Sequence, residues 1–111
     1  MPNSGQVARG AAAGVEYMHT HGVIHRDLTS YNLLLDFGKP WAVKVCDFNL
    51  SRMVAQHAQL TNSGNPNSPG WQSPEMLAGQ PYGRAADVYS FGVVLWEIIT
   101  LKEPWRCELH T

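Results

Sequence analysis

Apolar residues recur at helical spacing near the start of the chain, at Val7, Ala8, Ala11, Ala12, Val15 and Met18, and Gly22 follows as a stop signal. This period predicts an amphipathic helix over residues 6 to 20. The pattern then changes. Leu33-Leu34-Leu35 is a short apolar run, Asp36 to Pro40 carries Gly and Pro turn chemistry, and Val43-Lys44-Val45 alternates apolar and polar. A strand, a turn and a return strand account for it. Residues 50 to 70 lose all periodicity and gather Ser, Asn, Gly and Pro, the mark of an irregular loop. Residues 87 to 100 (DVYSFGVVLWEIIT) are apolar nearly all round, which marks a helix made to be enclosed on every side; without further helices to cover it, some of Phe91, Val94, Leu95, Ile98 and Ile99 are expected to be exposed as a contiguous patch.

Composition narrows this only a little. At 111 residues the chain is one domain at most, with room for a modest core. A formal net charge of -1 supplies no basic field for nucleic acid or anionic lipid. Cys46 and Cys107 form no C-x-x-C pair and suit a reduced compartment. His19, His21 and His25 lack a zinc-ligand spacing. The N-terminus has no signal-peptide core, and the longest apolar stretch, Phe91 to Thr100, is too short to span a bilayer. The expectation is a cytoplasmic protein with no membrane partner.

The chemistry lies in three short runs: His25-Arg26-Asp27-Leu28-Thr29-Ser30-Tyr31-Asn32, Asp47-Phe48-Asn49 and Ser73-Pro74-Glu75. A carboxylate at Asp27 can take a proton from a hydroxyl nucleophile. Asn32 and Asp47 offer the hard oxygen ligands that magnesium prefers. In this order and spacing the runs resemble the H-R-D-L-x-x-x-N, D-F-G and A-P-E signatures of the eukaryotic protein kinases. Asp87-Val-Tyr-Ser-Phe-Gly and Trp96-Glu97 resemble the tyrosine-kinase-like group of serine/threonine kinases. Two look-alikes are set aside. Asp36-Phe37-Gly38 spells D-F-G but lies only four residues past Asn32, inside the predicted turn. Ala42-Val43-Lys44 resembles the family's nucleotide-lysine strand but follows the catalytic loop, so Lys44 reads as a solvent-facing strand lysine.

The resemblance covers nearly residues 6 to 106 and implies an α+β, protein-kinase-like fold with an incomplete C-terminal lobe. Residues 1–111 would be one partial kinase domain, running from the end of the helix before the catalytic loop to the central large-lobe helix. No G-x-G-x-x-G occurs, so the nucleotide-covering lobe and the last helices are expected to be absent. By resemblance Asp27 is the catalytic base, Asn32 and Asp47 bind Mg2+, and Leu34 forms part of the adenine floor for ATP. His25 orders the backbone, Phe48 packs toward the other lobe, Ser68 faces the catalytic aspartate and Asp87 holds the catalytic-loop backbone. Glu75 pairs with an arginine in a part of the lobe beyond residue 111. By resemblance residues 50 to 70 are an activation segment in which Thr61 and Ser63 are candidate phosphate acceptors with Arg26 as the phosphate's partner; the alternative is a polar surface loop whose hydroxyls are never modified.

Two positions depart from the family. Thr29 stands where a lysine commonly stabilises the transferred phosphoryl group, so Thr29→Lys is expected to raise turnover. Asn49 replaces a glycine at a bend, where asparagine tolerates positive φ. The implied activity is transfer of the ATP γ-phosphate to serine or threonine hydroxyls of a protein substrate, with this piece inactive alone. The alternative is a truncated or pseudokinase-like interaction module whose exposed helix faces bind a covering partner.

Overall fold

The computed structural model describes residues 3–38, 40–48, 50–53, 60, 68–102 and 104. Helix α1 runs Ser4–Thr20, two residues earlier than its apolar period announces. Its start is polar: Asn3 accepts the Gln6 backbone N–H at 2.8 Å while the Gln6 side chain accepts the Asn3 N–H at 2.9 Å, a reciprocal capping box. Its end is the stop seen in the sequence, with Gly22 at φ 77, a conformation that suits a residue without Cβ.

Ala11, Val15 and Met18 form the buried stripe of α1. Val15 and Met18 join Leu28 in one core cluster, with Val23, Val45 and Phe91 packed around it. The helix lies close on the second hairpin strand because two glycines permit it. A Cβ at Gly10 would stand 3.0 Å from Val43 Cγ2, and one at Gly14 would stand 3.0 Å from Val45 Cγ2.

The predicted hairpin is present as β2 (Leu33–Asp36) antiparallel to β3 (Ala42–Val45), with Leu33 opposite Val45 and Asp36 opposite Ala42. Its turn begins with Asp36, whose Oδ1 accepts the Gly38 N–H at 3.0 Å and whose Oδ2 meets Lys44 Nζ at 3.1 Å. The literal D-F-G is thus a turn element, and Lys44 is a solvent-facing strand lysine. A second, minimal pair was not foreseen: β1 (Val23–Ile24) runs antiparallel to β4 (Arg52–Met53). Two-residue strands are too short to show a period.

Helix α2 (Pro74–Leu77) starts with Pro at its first position, where the missing N–H costs nothing. Helix α3 spans Arg84–Thr100, beginning three residues before the predicted segment. Met76, Tyr82 and Ala86 form a second core cluster with Leu60 against it. Helix α3 is not enclosed all round here, and of the residues named for an exposed patch Ile99 is open while Val94 is buried. Ala86, Asp87, Ser90 and Val94 form its buried stripe, whereas Val88, Trp96 and Ile99 are exposed. Phe91 and Val94 face the described core, so the open face is the opposite one. There Tyr89, Gly92, Val93, Trp96 and Pro104 line a groove of about 550 Å³. Among the described residues no helix is long and apolar enough to cross a membrane.

Candidate active site

The site is built on the loop between β1 and β2, and its backbone is held from several sides. Asp87, in the first turn of α3, is 1% exposed. Its Oδ2 accepts the His25 backbone N–H at 2.8 Å and its Oδ1 accepts that of Arg26 at 3.0 Å. His19 Nε2, from α1, donates to the same carboxylate at 2.8 Å. Three parts of the chain therefore meet on one buried anion whose oxygens are all supplied with donors, the condition under which burying a charge is tolerated.

His25 is fully buried and bridges onward. Its Nδ1 accepts the Asp27 N–H at 3.1 Å, which leaves Nε2 to carry the proton and donate to the Cys46 carbonyl at 2.9 Å. The Phe48 ring packs against it with centroids 5.1 Å apart. One imidazole thus links the loop carrying Asp27 to the segment carrying Asp47. The same two segments meet again where Asn32 O accepts the Cys46 N–H at 2.9 Å.

Asp27 and Asn32 are locked to each other. Asn32 Nδ2 donates to the Asp27 carbonyl at 2.6 Å, so its amide nitrogen is engaged and Oδ1 remains as the acceptor. A one-turn 3-10 segment, Ser30–Asn32, sets this geometry, capped by the Thr29 hydroxyl accepting the Tyr31 N–H at 3.1 Å. Asp27 is half-buried, and its Oδ1 is buried with no hydrogen-bond partner among the described residues. Asp47 is exposed, and its backbone is left-handed at φ 58. Asn49 lies outside the described residues.

Arg26 is also left-handed, at φ 75, an uncommon state for a non-glycine residue. Its guanidinium donates from Nε to the Tyr82 hydroxyl at 2.6 Å and from Nη1 to the Leu50 carbonyl at 3.2 Å. Thr61 and Ser63 lie outside the described residues. Ser68, half-buried at the head of the 3-10 turn Pro69–Trp71, makes no side-chain hydrogen bond to Asp27. Leu34 is 55% exposed on β2. Glu75 is half-buried and has no ion pair among the described residues.

Sequence reasoning missed the part played by Glu97. Its Oε2 accepts from the Ser30 hydroxyl at 2.7 Å and its Oε1 accepts from the Trp71 indole at 2.6 Å. Nothing short of three-dimensional contact shows that residues 67 and 26 apart in sequence share a carboxylate.

Oxygen atoms of two of the site side chains are of the kind that a hard cation takes as ligands. Asn32 Oδ1 and the exposed Asp47 carboxylate are oxygen donors of the right kind. Among the described residues no cluster of three or more His, Cys, Asp or Glu side chains forms a closed metal cage. Magnesium is commonly bound by one or two protein ligands with phosphates completing the shell.

Comparison with known proteins bears on the family of the chain. Residues 1–109 match the family model of protein tyrosine and serine/threonine kinases. The chain is 46% identical over 101 residues to the serine/threonine-protein kinase CTR1 of Arabidopsis thaliana, covering 89% of this chain and 12% of that protein. It is 50% identical over 97 residues to the probable serine/threonine-protein kinase drkA of Dictyostelium discoideum, covering 86% of this chain and 14% of the relative. Against the serine/threonine/tyrosine-protein kinase HT1 of Arabidopsis thaliana it is 45% identical over 101 residues, covering 91% and 25%. The chain therefore spans a quarter or less of the length of these relatives. With the family model matched over nearly all of its length, the chain belongs to the protein tyrosine and serine/threonine kinase family.

Proposed function

We propose that this chain is the catalytic-loop portion of a serine/threonine protein kinase that transfers the ATP γ-phosphate to a protein hydroxyl. In this reading Asp27 orients the acceptor hydroxyl and takes its proton. Asn32 and Asp47 would hold Mg2+, which when bound neutralises charge on the phosphates and aligns them. Leu34, exposed on β2, would lie under the adenine. Residues 1–111 would be a partial large lobe, and Thr61 and Ser63 would be phosphate acceptors that pair with Arg26.

The observation that carries the proposal is the closed circuit around Asp27. Its N–H goes to His25, its carbonyl takes Asn32, and the two residues before it hang on Asp87, yet its own Oδ1 has no donor. A backbone fixed this thoroughly around a carboxylate without a partner is arranged for a donor that arrives with the substrate.

The test is a chimera in which this segment replaces the equivalent one of an active serine/threonine kinase. Turnover is expected to persist and to fall about 10²–10⁴-fold on Asp27→Asn, the range for losing a general base. A chimera that folds and binds Mg-ATP, yet turns over equally well with Asn at position 27, overturns the assignment.

The open groove beside Trp96 favours a second, non-catalytic reading, in which this face is where a covering partner binds. Catalysis by the chimera would not decide that reading; retention of the chain by a partner after Asp27→Asn would.

A further inference from the structure

We infer that Glu97 is a positioning residue that ties the loop bearing Asp27 to the segment entering α2, so that a change in residues 68–73 reaches the catalytic loop through its carboxylate. The inference rests on the kinase reading for its purpose, but not for its geometry.

One carboxylate holds a neutral donor on each oxygen: Ser30, three residues past Asp27, and the Trp71 indole. Neither donor is a cation, and among the described residues no Lys or Arg pairs with Glu97. An anion that could bind a lysine in solvent is instead half-buried and shared between two segments, so its charge strengthens both hydrogen bonds at once. Independent contacts dock the same segments. The Tyr31 and Trp71 rings meet edge-on at 5.9 Å, Gln72 Nε2 donates to the Arg26 carbonyl at 3.3 Å, and the Ser90 hydroxyl donates to the Trp71 carbonyl. Of these, only the Glu97 link is ionic and reaches both segments from a third element, α3; Ser90, on the same helix, holds Trp71 alone. The Glu97 link therefore keeps both segments in register with the helix that also carries Asp87.

The chemistry predicts which substitutions are tolerated. In Glu97→Gln the amide oxygen can still accept the indole N–H, and the Ser30 hydroxyl can reverse to accept from the amide nitrogen, so both links survive in weaker form. Glu97→Ala removes both.

The experiment is 15N-resolved NMR of the 111-residue chain, with the Trp71 indole resonance assigned by its loss in Trp71→Phe. Ser30→Ala is expected to shift that indole resonance, and Trp71→Phe to shift the amides of Asp27, Ser30 and Asn32. Both cross-responses should vanish in a Glu97→Ala background and persist, reduced, in Glu97→Gln. Cross-responses of unchanged size without Glu97 would mean that the signal passes through the Tyr31 ring or the Gln72–Arg26 hydrogen bond, and would overturn the inference. Where Glu97→Ala gives no folded spectrum, the double variant Tyr31→Ala, Gln72→Ala decides instead: persistence of the cross-responses supports the Glu97 route and their loss refutes it. The kinase reading is tested separately by turnover of the chimera and its Asp27→Asn variant, since these cross-responses report the Glu97 geometry and not phosphoryl transfer.

Discussion

Single residues account for most of the site's rigidity, and Asp87 does the most. Replacing it by alanine strips the His25 and Arg26 N–H groups of their acceptor, and each buried donor left unpaired costs about 1–3 kcal/mol. Asp87→Ala should therefore lower stability by roughly 2–5 kcal/mol in urea titration, with conservation of helical circular dichroism at low denaturant. Thr29 changes meaning once its surroundings are known. It is 3% exposed and its hydroxyl caps the Ser30–Asn32 turn, so Thr29→Lys forfeits the cap and must drive an ammonium out of the interior before it can serve a phosphate. Loss of stability by about 1 kcal/mol or more is the expected outcome, with no gain in turnover of the chimera; a tenfold faster single turnover would restore the simpler view of a missing lysine. Asp36 provides the pH-dependent case. The Gly38 N–H and Lys44 hold its carboxyl below the usual value of 3.8. A depressed folded-state pKa contributes stability that is complete above the unfolded value and lost as pH falls through the folded one. Asp36→Asn should thus shift the melting midpoint slightly downward at neutral pH and cease to matter in strong acid; a difference that grows below pH ~3 would contradict the assignment.

At the level of elements, α1 is placed by what its glycines lack. Valine at Gly10 or Gly14 would push against Val43 or Val45 on β3, and overpacking of this kind costs about 1–3 kcal/mol. Gly14→Val should lower the denaturation midpoint accordingly, whereas the same change at Gly92, where a Cβ meets nothing within 4 Å, should not act through a clash. The sequence revealed α1, the β2–β3 hairpin and α3 because each is long enough to express its period. It concealed their ends. The cap of α1 is a polar Asn3–Gln6 exchange rather than an apolar repeat, although the N-x-x-Q spacing was open to a reader of capping boxes. Residues Arg84 to Ala86 carry too little hydrophobicity to announce the first turn of α3. Asp27, Asn32 and Asp47 were legible as oxygen-bearing residues in a known order. The left-handed backbone at Arg26 was not, because arginine does not prefer it and only its folded surroundings call for it; Asp47 is of a type that tolerates this state without announcing it. Glu97 was visible only as part of Trp96-Glu97, since no local pattern encodes a bridge between distant hydroxyl and indole donors.

Across the whole molecule the described core is divided, with one cluster around Val15, Met18 and Leu28 and another around Met76, Tyr82 and Ala86. The outer face of α3 is left apolar, with Ile99 75% and Val88 58% exposed. The purified 111-residue chain should bind a hydrophobic dye and self-associate on light scattering. Ile99→Lys should diminish both effects while leaving the circular dichroism unchanged. Since these 111 residues include no glycine-rich phosphate loop, calorimetry should detect no micromolar binding of Mg-ATP to the polypeptide by itself. The convergence on Asp87 has a further consequence for how the chain is made. The anchor lies 61 and 62 residues after the backbone groups it holds, and 68 after His19. During synthesis the loop around Asp27 emerges first, and its His25 and Arg26 N–H groups lack their acceptor until the start of α3 leaves the ribosome; closing so long a loop is a late and entropically costly event. A nascent chain stalled before residue 87 should be cut readily by protease at Arg26, and one stalled well past Thr100 should resist.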